Sequence, residues 1–233
     1  MEREKLNTVS AENQLETSNV MKIVKKPGSV LKVLFVGNSI TRHGPSPECG
    51  WTGDWGMAAT SLDKDYVHQT VDGIEKIVGS IDYCIAQVAD WERDYEHGID
   101  ILNSNYKKAR EFNADIVIIN LGENMNKQGQ KINFKPYFEE LINFFAIKAE
   151  VVVVGVFWEN KFKDDIFESV CKENGYSFCA ISDIQQDKNN LALNEFEHSG
   201  VANHPGDCGM QAISERLLSA IQNFRVIKSF RKM

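Results

Sequence analysis

No stretch of this sequence stays apolar long enough to cross a bilayer. The longest such run, residues 151–158 with Gly155 inside it, falls far short of the ~20 residues that a spanning helix needs. It reads instead as a buried strand. The first thirty residues carry scattered charges and no apolar core segment, so no secretory signal is visible and a cytoplasmic location is expected. Cysteine is sparse and odd in number: Cys49, Cys84, Cys171, Cys179 and Cys208, without a C-x-x-C spacing. That pattern suits reduced thiols rather than a disulfide framework or a zinc site. Basic charge is not in excess either, with 33 acidic against 26 basic side chains, a net charge of -7 and a pI near 5.3. A nucleic-acid partner leaves a basic stripe, and an anionic membrane surface attracts one, so neither partner is expected. The dinucleotide fingerprint G-x-G-x-x-G does not surround Gly37, and there are no internal repeats.

What is present is a chain of 233 residues with 42% hydrophobic content, enough for one α/β domain with a sizeable core. Residues 1–29 are polar and lack sustained periodicity. They read as an arm closed by the turn signal Lys25-Lys26-Pro27-Gly28, although residues 20–24 suit an edge strand. The domain proper is expected over residues 30–233. Within it, short apolar runs at 31–36, 83–88, 115–121, 151–157 and 176–181 read as strands. Helical spacing appears at 55–62, 67–78, 99–112, 137–147, 166–173 and 207–224. Strands of continuous apolar character alternating with helices imply a five-stranded parallel sheet covered on both faces. In such sheets the site lies beyond the carboxyl ends of the strands.

Three strand-end or loop motifs carry the chemistry. The first strand ends in Gly37-Asn38-Ser39-Ile40-Thr41. Ser39 there is either a nucleophile at a strand-to-helix turn, where a helix N-terminus favours developing negative charge, or a helix cap. The third strand ends in Gly122-Glu123-Asn124, where the asparagine is either an oxyanion donor or a turn residue. Near the C-terminus stands Asn203-His204-Pro205-Gly206-Asp207, in which the following proline restrains the backbone of His204. Together the three supply nucleophile, oxyanion donor and base.

These blocks resemble the SGNH hydrolases, also called GDSL esterases, over residues 31–224. The first block is in the G-N-S-I-T form of carbohydrate esterase-like members, Gly122-x-Asn124 matches the G-x-N block, and His204-Pro205 followed by Gly209-Met210 resembles the last block. The resemblance implies a flavodoxin-like three-layer α/β/α fold and hydrolysis of a small ester, often an acetyl ester on a sugar. It implies neither a metal nor an organic cofactor. It places the catalytic pair at Ser39 and His204 and the oxyanion hole on Ser39, Ala89 and Asn124.

Two departures stand out. Where the family's second block has a glycine, this chain has Ala89, which is strained if the position needs φ above zero. Where the family has aspartate three residues before the histidine, this chain has Val201. A Ser-His dyad oriented by a main-chain carbonyl, or a displaced acid with Glu197 as the candidate, is then expected; Asp207 reads as a helix cap. Trp51, Asn38 and Trp91 are candidates for substrate contact, Trp51 as an aromatic wall for a sugar ring. The competing expectation is a sugar-binding or scaffold protein without catalysis, since sites are grafted onto folds.

Overall fold

The computed structural model describes residues 15–17, 20–125 and 133–231. The sheet is organised around β3 (Lys32–Gly37), whose Val33, Leu34, Phe35 and Val36 are all fully buried. Each such side chain contributes roughly 1.5–3 kcal/mol by leaving water. β4 (Asp82–Gln87), β3, β5 (Ile116–Asn120), β6 (Glu150–Val154) and β7 (Ser177–Cys179) lie side by side in that order, all parallel.

Two antiparallel strands extend this sheet at one edge. β2 (Met21–Val24) pairs with β4, and β1 (Leu15–Thr17) pairs with β2, which makes seven strands. The domain boundary expected at 29/30 is therefore corrected. Met21 and Ile23 are buried in the core, because the free edge of β4 offers backbone partners to any short extended segment that can reach it. Residues 1–14 of the expected arm lie outside the described residues.

Alternation along the strands divides the core in two. Leu34, Val36, Val117 and Ile119 face one helical layer containing α3 (Gly98–Asn105), α4 (Lys107–Glu111), α5 (Lys135–Phe145) and α6 (Lys161–Asn174). Val33, Phe35, Ile116 and Ile118 face the other, built from α1 (Tyr66–Val78), α8 (Asp207–Ile221) and α9 (Arg225–Phe230). The result is the expected three-layer α/β/α arrangement. Among the described residues no helix is long and apolar enough to cross a membrane, and no three metal-ligating side chains gather.

Two expected helices are corrected. The helix over 99–112 is interrupted at Tyr106, whose ring is fully buried and whose hydroxyl lies 2.6 Å from both the Gln87 carbonyl and Asp90 Oδ1. No helix forms over 55–62. Ala58 there has a φ of 77°, and any side chain at Gly56 would collide with the Ile40 carbonyl. The apolar residues that mimic helical spacing instead pack as an irregular loop over the strand ends.

The strand order also locates the site. From β3 the chain passes to β4 on one side, then crosses back to β5 on the other. The loops leaving β3, β4 and β5 consequently splay apart and leave a crevice at their carboxyl ends.

Candidate active site

β3 ends at Gly37 because nothing larger fits: a Cβ there would sit 1.9 Å from Thr41 Oγ1 and 2.6 Å from the Asn120 carbonyl. The next residues form a tight turn rather than the helix start expected from the sequence. Thr41 and Arg42 donate their N–H groups to the Asn38 carbonyl at 3.0 and 2.9 Å, and Ile40 donates to Asn38 Oδ1 at 3.2 Å. The Ser39 carbonyl accepts from Met57 N–H at 2.9 Å, which fastens the irregular loop across the turn. Ser39 is thereby presented at the crevice, half-buried, with its hydroxyl toward His204.

His204 arrives from the opposite side, in the loop between α7 (Ser199–Ala202) and α8. Its backbone is held twice: its N–H donates to the Val201 carbonyl at 2.9 Å, and its carbonyl accepts from Ala192 at 3.1 Å. Nε2 lies 2.9 Å from Ser39 Oγ, and Nδ1 lies 2.7 Å from the Gly200 carbonyl. A carbonyl can only accept, so Nδ1 carries the hydrogen and Nε2 presents its lone pair to the serine. Trp158 and the imidazole pack nearly perpendicular, with ring centroids 5.2 Å apart. Burial drives the His204 pKa from 6.5 down to about 4, against the Gly200 hydrogen bond, which raises it.

Among the described residues no acid takes the aspartate's place. Val201 is 1% exposed and packs with Trp51, Met57, Ala58 and Ala192. Glu197 is exposed and makes no bond to the imidazole among the described residues, which corrects its expected candidacy. Asp207 is corrected too. Gly206 occupies the cap position of α8, and the Asp207 carboxylate instead accepts from the Thr60 N–H at 2.9 Å and hydroxyl at 2.7 Å.

The third wall is organised by a carboxylate that sequence reasoning missed. Glu92, in α2 (Ala89–Arg93), is fully buried beneath the strand ends. Its Oε2 accepts from Asn124 Nδ2 at 2.6 Å, and its Oε1 accepts from the N–H groups of Gly122 and Asn124 and from Asn38 Nδ2. Asn38 Nδ2 also donates to Glu123 Oε2 at 2.6 Å, so Asn38 bridges two carboxylates. Burial and the neighbouring Glu92 charge push the Glu123 carboxyl up. Asn124 has two amide hydrogens; Glu92 takes one, which leaves the other for the crevice that Asn124 lines. Ala89 opens α2 and also lines the crevice, so its N–H is one of the first-turn donors without an intrahelical acceptor. Ala89 is not among the residues with positive φ, so the alanine is unstrained.

The expected substrate contacts are corrected. Asn38 is fully buried and its polar atoms are engaged within the protein. Trp91 is fully buried in the core, and Trp51 is 3% exposed with its indole N–H donating to the His43 carbonyl. Large rings close to strand ends are drawn into the core by their area, and the indole that reaches the imidazole is Trp158. The crevice encloses about 230 Å³ and includes Ser39, His204, Ala89, Asn124, Met57 and Arg93 in its walls.

No protein-family model matches the sequence, and no curated protein matches it. Solved structures do. A GDSL-like lipase from Bacteroides uniformis superposes with a TM-score of 0.55 at 15% identity, covering 84% of this chain and 97% of that one. A member of the lipolytic G-D-S-L family from Veillonella parvula gives 0.52 at 10% identity, covering 83% and 99%. A family two carbohydrate esterase from Cellvibrio japonicus gives 0.52 at 13% identity; the match covers 90% of this chain and 65% of that longer protein. This chain has the fold of the SGNH/GDSL hydrolases.

Proposed function

We propose that the protein is a serine ester hydrolase acting on a small ester, an O-acetyl group on a carbohydrate, through a Ser39-His204 dyad. The observation that carries this reading is the 2.9 Å contact between Ser39 Oγ and a His204 Nε2 whose partner nitrogen is tied to a carbonyl. A scaffold protein has no need of a fixed tautomer aimed at a serine. Ser39 Oγ attacks the acyl carbonyl carbon while His204 Nε2 takes the hydroxyl proton. The charge that develops on the carbonyl oxygen is received by the N–H groups of Ser39 and Ala89 and the second N–H of Asn124. His204 then gives its proton to the departing alcohol, leaving an acyl-serine. Water attacks that ester, His204 accepts the water's proton, and the proton returns to Ser39 as the acid leaves. The small crevice suits an acetyl group, and the similarity to a carbohydrate esterase supports a sugar as the alcohol.

Hydrolysis of 4-nitrophenyl acetate by the purified chain, followed across pH, tests this reading. The catalytic form has a neutral imidazole, so kcat/KM for the free enzyme falls as His204 gains a proton. With the pKa lowered to about 4, the acid limb is expected near pH 4 rather than 6.5. The same shift acts on stability. The unfolded chain binds the histidine proton more readily than the folded one, so this group's contribution to stability falls as pH drops from about 6.5 to about 4. No hydrolysis would overturn the proposal, whereas an acid limb at 6.5 would leave His204 as the base and overturn only the lowering of its pKa by burial.

Asn124→Ala tests the oxyanion hole separately. Loss of one donor should lower kcat by roughly 10²–10³ with little change in KM. A change confined to KM would make Asn124 a substrate-binding residue instead.

A further inference from the structure

The crevice wall contains Arg93, and nothing in the hydrolysis steps above uses it. Arg93 is exposed and forms no ion pair or hydrogen bond among the described residues. This is unexpected from its neighbours, since Asp90, Glu92 and Asp94 all lie within three positions of it. Each of those carboxylates is engaged elsewhere. Asp90 accepts from Asn105 Nδ2 at 2.8 Å and lies 2.6 Å from the Tyr106 hydroxyl. Glu92 is held by Asn38, Gly122 and Asn124. Asp94 is paired with His97 at 2.8 Å. The guanidinium is left for a ligand.

The position of Arg93 bears on what that ligand is. Ala89 and Arg93 stand four residues apart in α2, hence on one face, and helical side chains lean toward the N-terminus. Arg93 lines the same crevice as Ala89, the candidate oxyanion donor. The composition of the wall points the same way. The chain has 33 acidic side chains against 26 basic ones, yet none of the residues lining this crevice is acidic. Excluding carboxylates from one crevice of an acidic protein leaves an anion without a repelling neighbour on the wall. Met57 and Val201 form a buried apolar part of the crevice, suited to a small acyl group, whereas Arg93 stands at its exposed rim, where the alcohol portion of an ester would extend.

We infer that the preferred substrate is an acetyl ester whose alcohol portion carries a carboxylate, such as an O-acetylated hexuronate, with Arg93 receiving that carboxylate through paired N–H donors. The inference rests on the ester-hydrolase reading and adds the charge of the substrate to it.

The test compares two acetyl esters at the same ring position, an O-acetylated hexuronate and the O-acetylated methyl hexoside. The wild-type chain should favour the hexuronate by about tenfold in kcat/KM, the scale of one charge-assisted contact. Arg93→Gln should bring that ratio close to one. Arg93→Lys, which keeps the charge but not the planar fork, should retain part of it. Added salt should erode the wild-type preference, because an exposed pair is screened. A wild-type ratio near one, or a preference that survives Arg93→Gln in folded protein, would overturn the inference while leaving ester hydrolysis standing. Preference for a phenyl hemisuccinate over phenyl acetate, with none for the hexuronate, would place the anion on the acyl side and overturn the assignment to the alcohol. Should the chain hydrolyse none of these esters, the ester-hydrolase reading fails. Calorimetric titration with free hexuronate and free hexose then decides the binding claim: Arg93-dependent binding of the hexuronate alone supports it, and no binding overturns it.

Discussion

Ser39→Ala is expected to lower kcat for ester hydrolysis by about 10⁶-fold, the scale seen when a serine nucleophile is removed from a preorganised site. The residual rate would come from the oxyanion donors and from binding. The protein should stay folded, because the serine is only half-buried and among the described residues its side chain makes one bond, to His204. Losing it costs about 1 kcal/mol, which for a chain of this size shifts Tm by only ~2–4 °C. The measurement is turnover of 4-nitrophenyl acetate by wild type and variant at matched purity, alongside thermal melts. Mass spectrometry of the acid-quenched wild type should find an acetyl group on the peptide containing Ser39. A variant that keeps a few per cent of activity would remove Ser39 from the nucleophile role, and an acetyl group found elsewhere would identify its replacement.

Glu92→Ala is expected to be the most damaging substitution for the fold near the site. The carboxylate is fully buried and receives N–H groups from Gly122, from the Asn124 backbone and side chain, and from Asn38. Removing it strands those donors away from water beside Glu123, which shares the Asn38 amide. Breaking such a buried charged network costs about 3–5 kcal/mol. Glu92→Gln keeps the shape but sets an amide N–H against donors, so Asn124 must turn. We expect the glutamine variant to fold, with kcat lowered tenfold or more and KM nearly unchanged, as befits misaiming of an oxyanion donor. Urea unfolding and steady-state kinetics measure the two effects. A fully stable Glu92→Ala with unaltered kcat would show that Asn124 holds its position without it.

The parallel sheet was legible because its strands are buried on both faces and read as continuous apolar runs, as in β3, β5 and β6. That Ser39, Asn124 and His204 meet at one crevice was legible because each follows a short, unusual local pattern at a predicted strand end or helix entry. Glu92 was not, since its importance lies entirely in partners from two other segments, the turns after β3 and β5, and an acid within a short helix ordinarily points to solvent. The tryptophans misled for a related reason. Aromatic residues next to glycines suit a sugar platform and a core equally well, and only tertiary packing separates the two for Trp51, Trp91 and Trp158. The loop at 55–62 shows helical spacing without a helix, because Ala58 adopts a φ that a helix excludes.

Val201 also limits the routes by which this site can change. In the SGNH pattern an aspartate at that position would face the imidazole, but here Val201 is buried among Trp51, Met57, Ala58 and Ala192. A single exchange to aspartate would bury a carboxylate there without partners, at a cost of several kcal/mol, while Gly200 still occupies Nδ1. The carbonyl-oriented dyad and a carboxylate triad are therefore not adjacent on the mutational landscape of this chain. Passage between them requires the 199–202 turn to unwind and the apolar nest to be refilled together, so that each intermediate sequence is less fit to fold than either end.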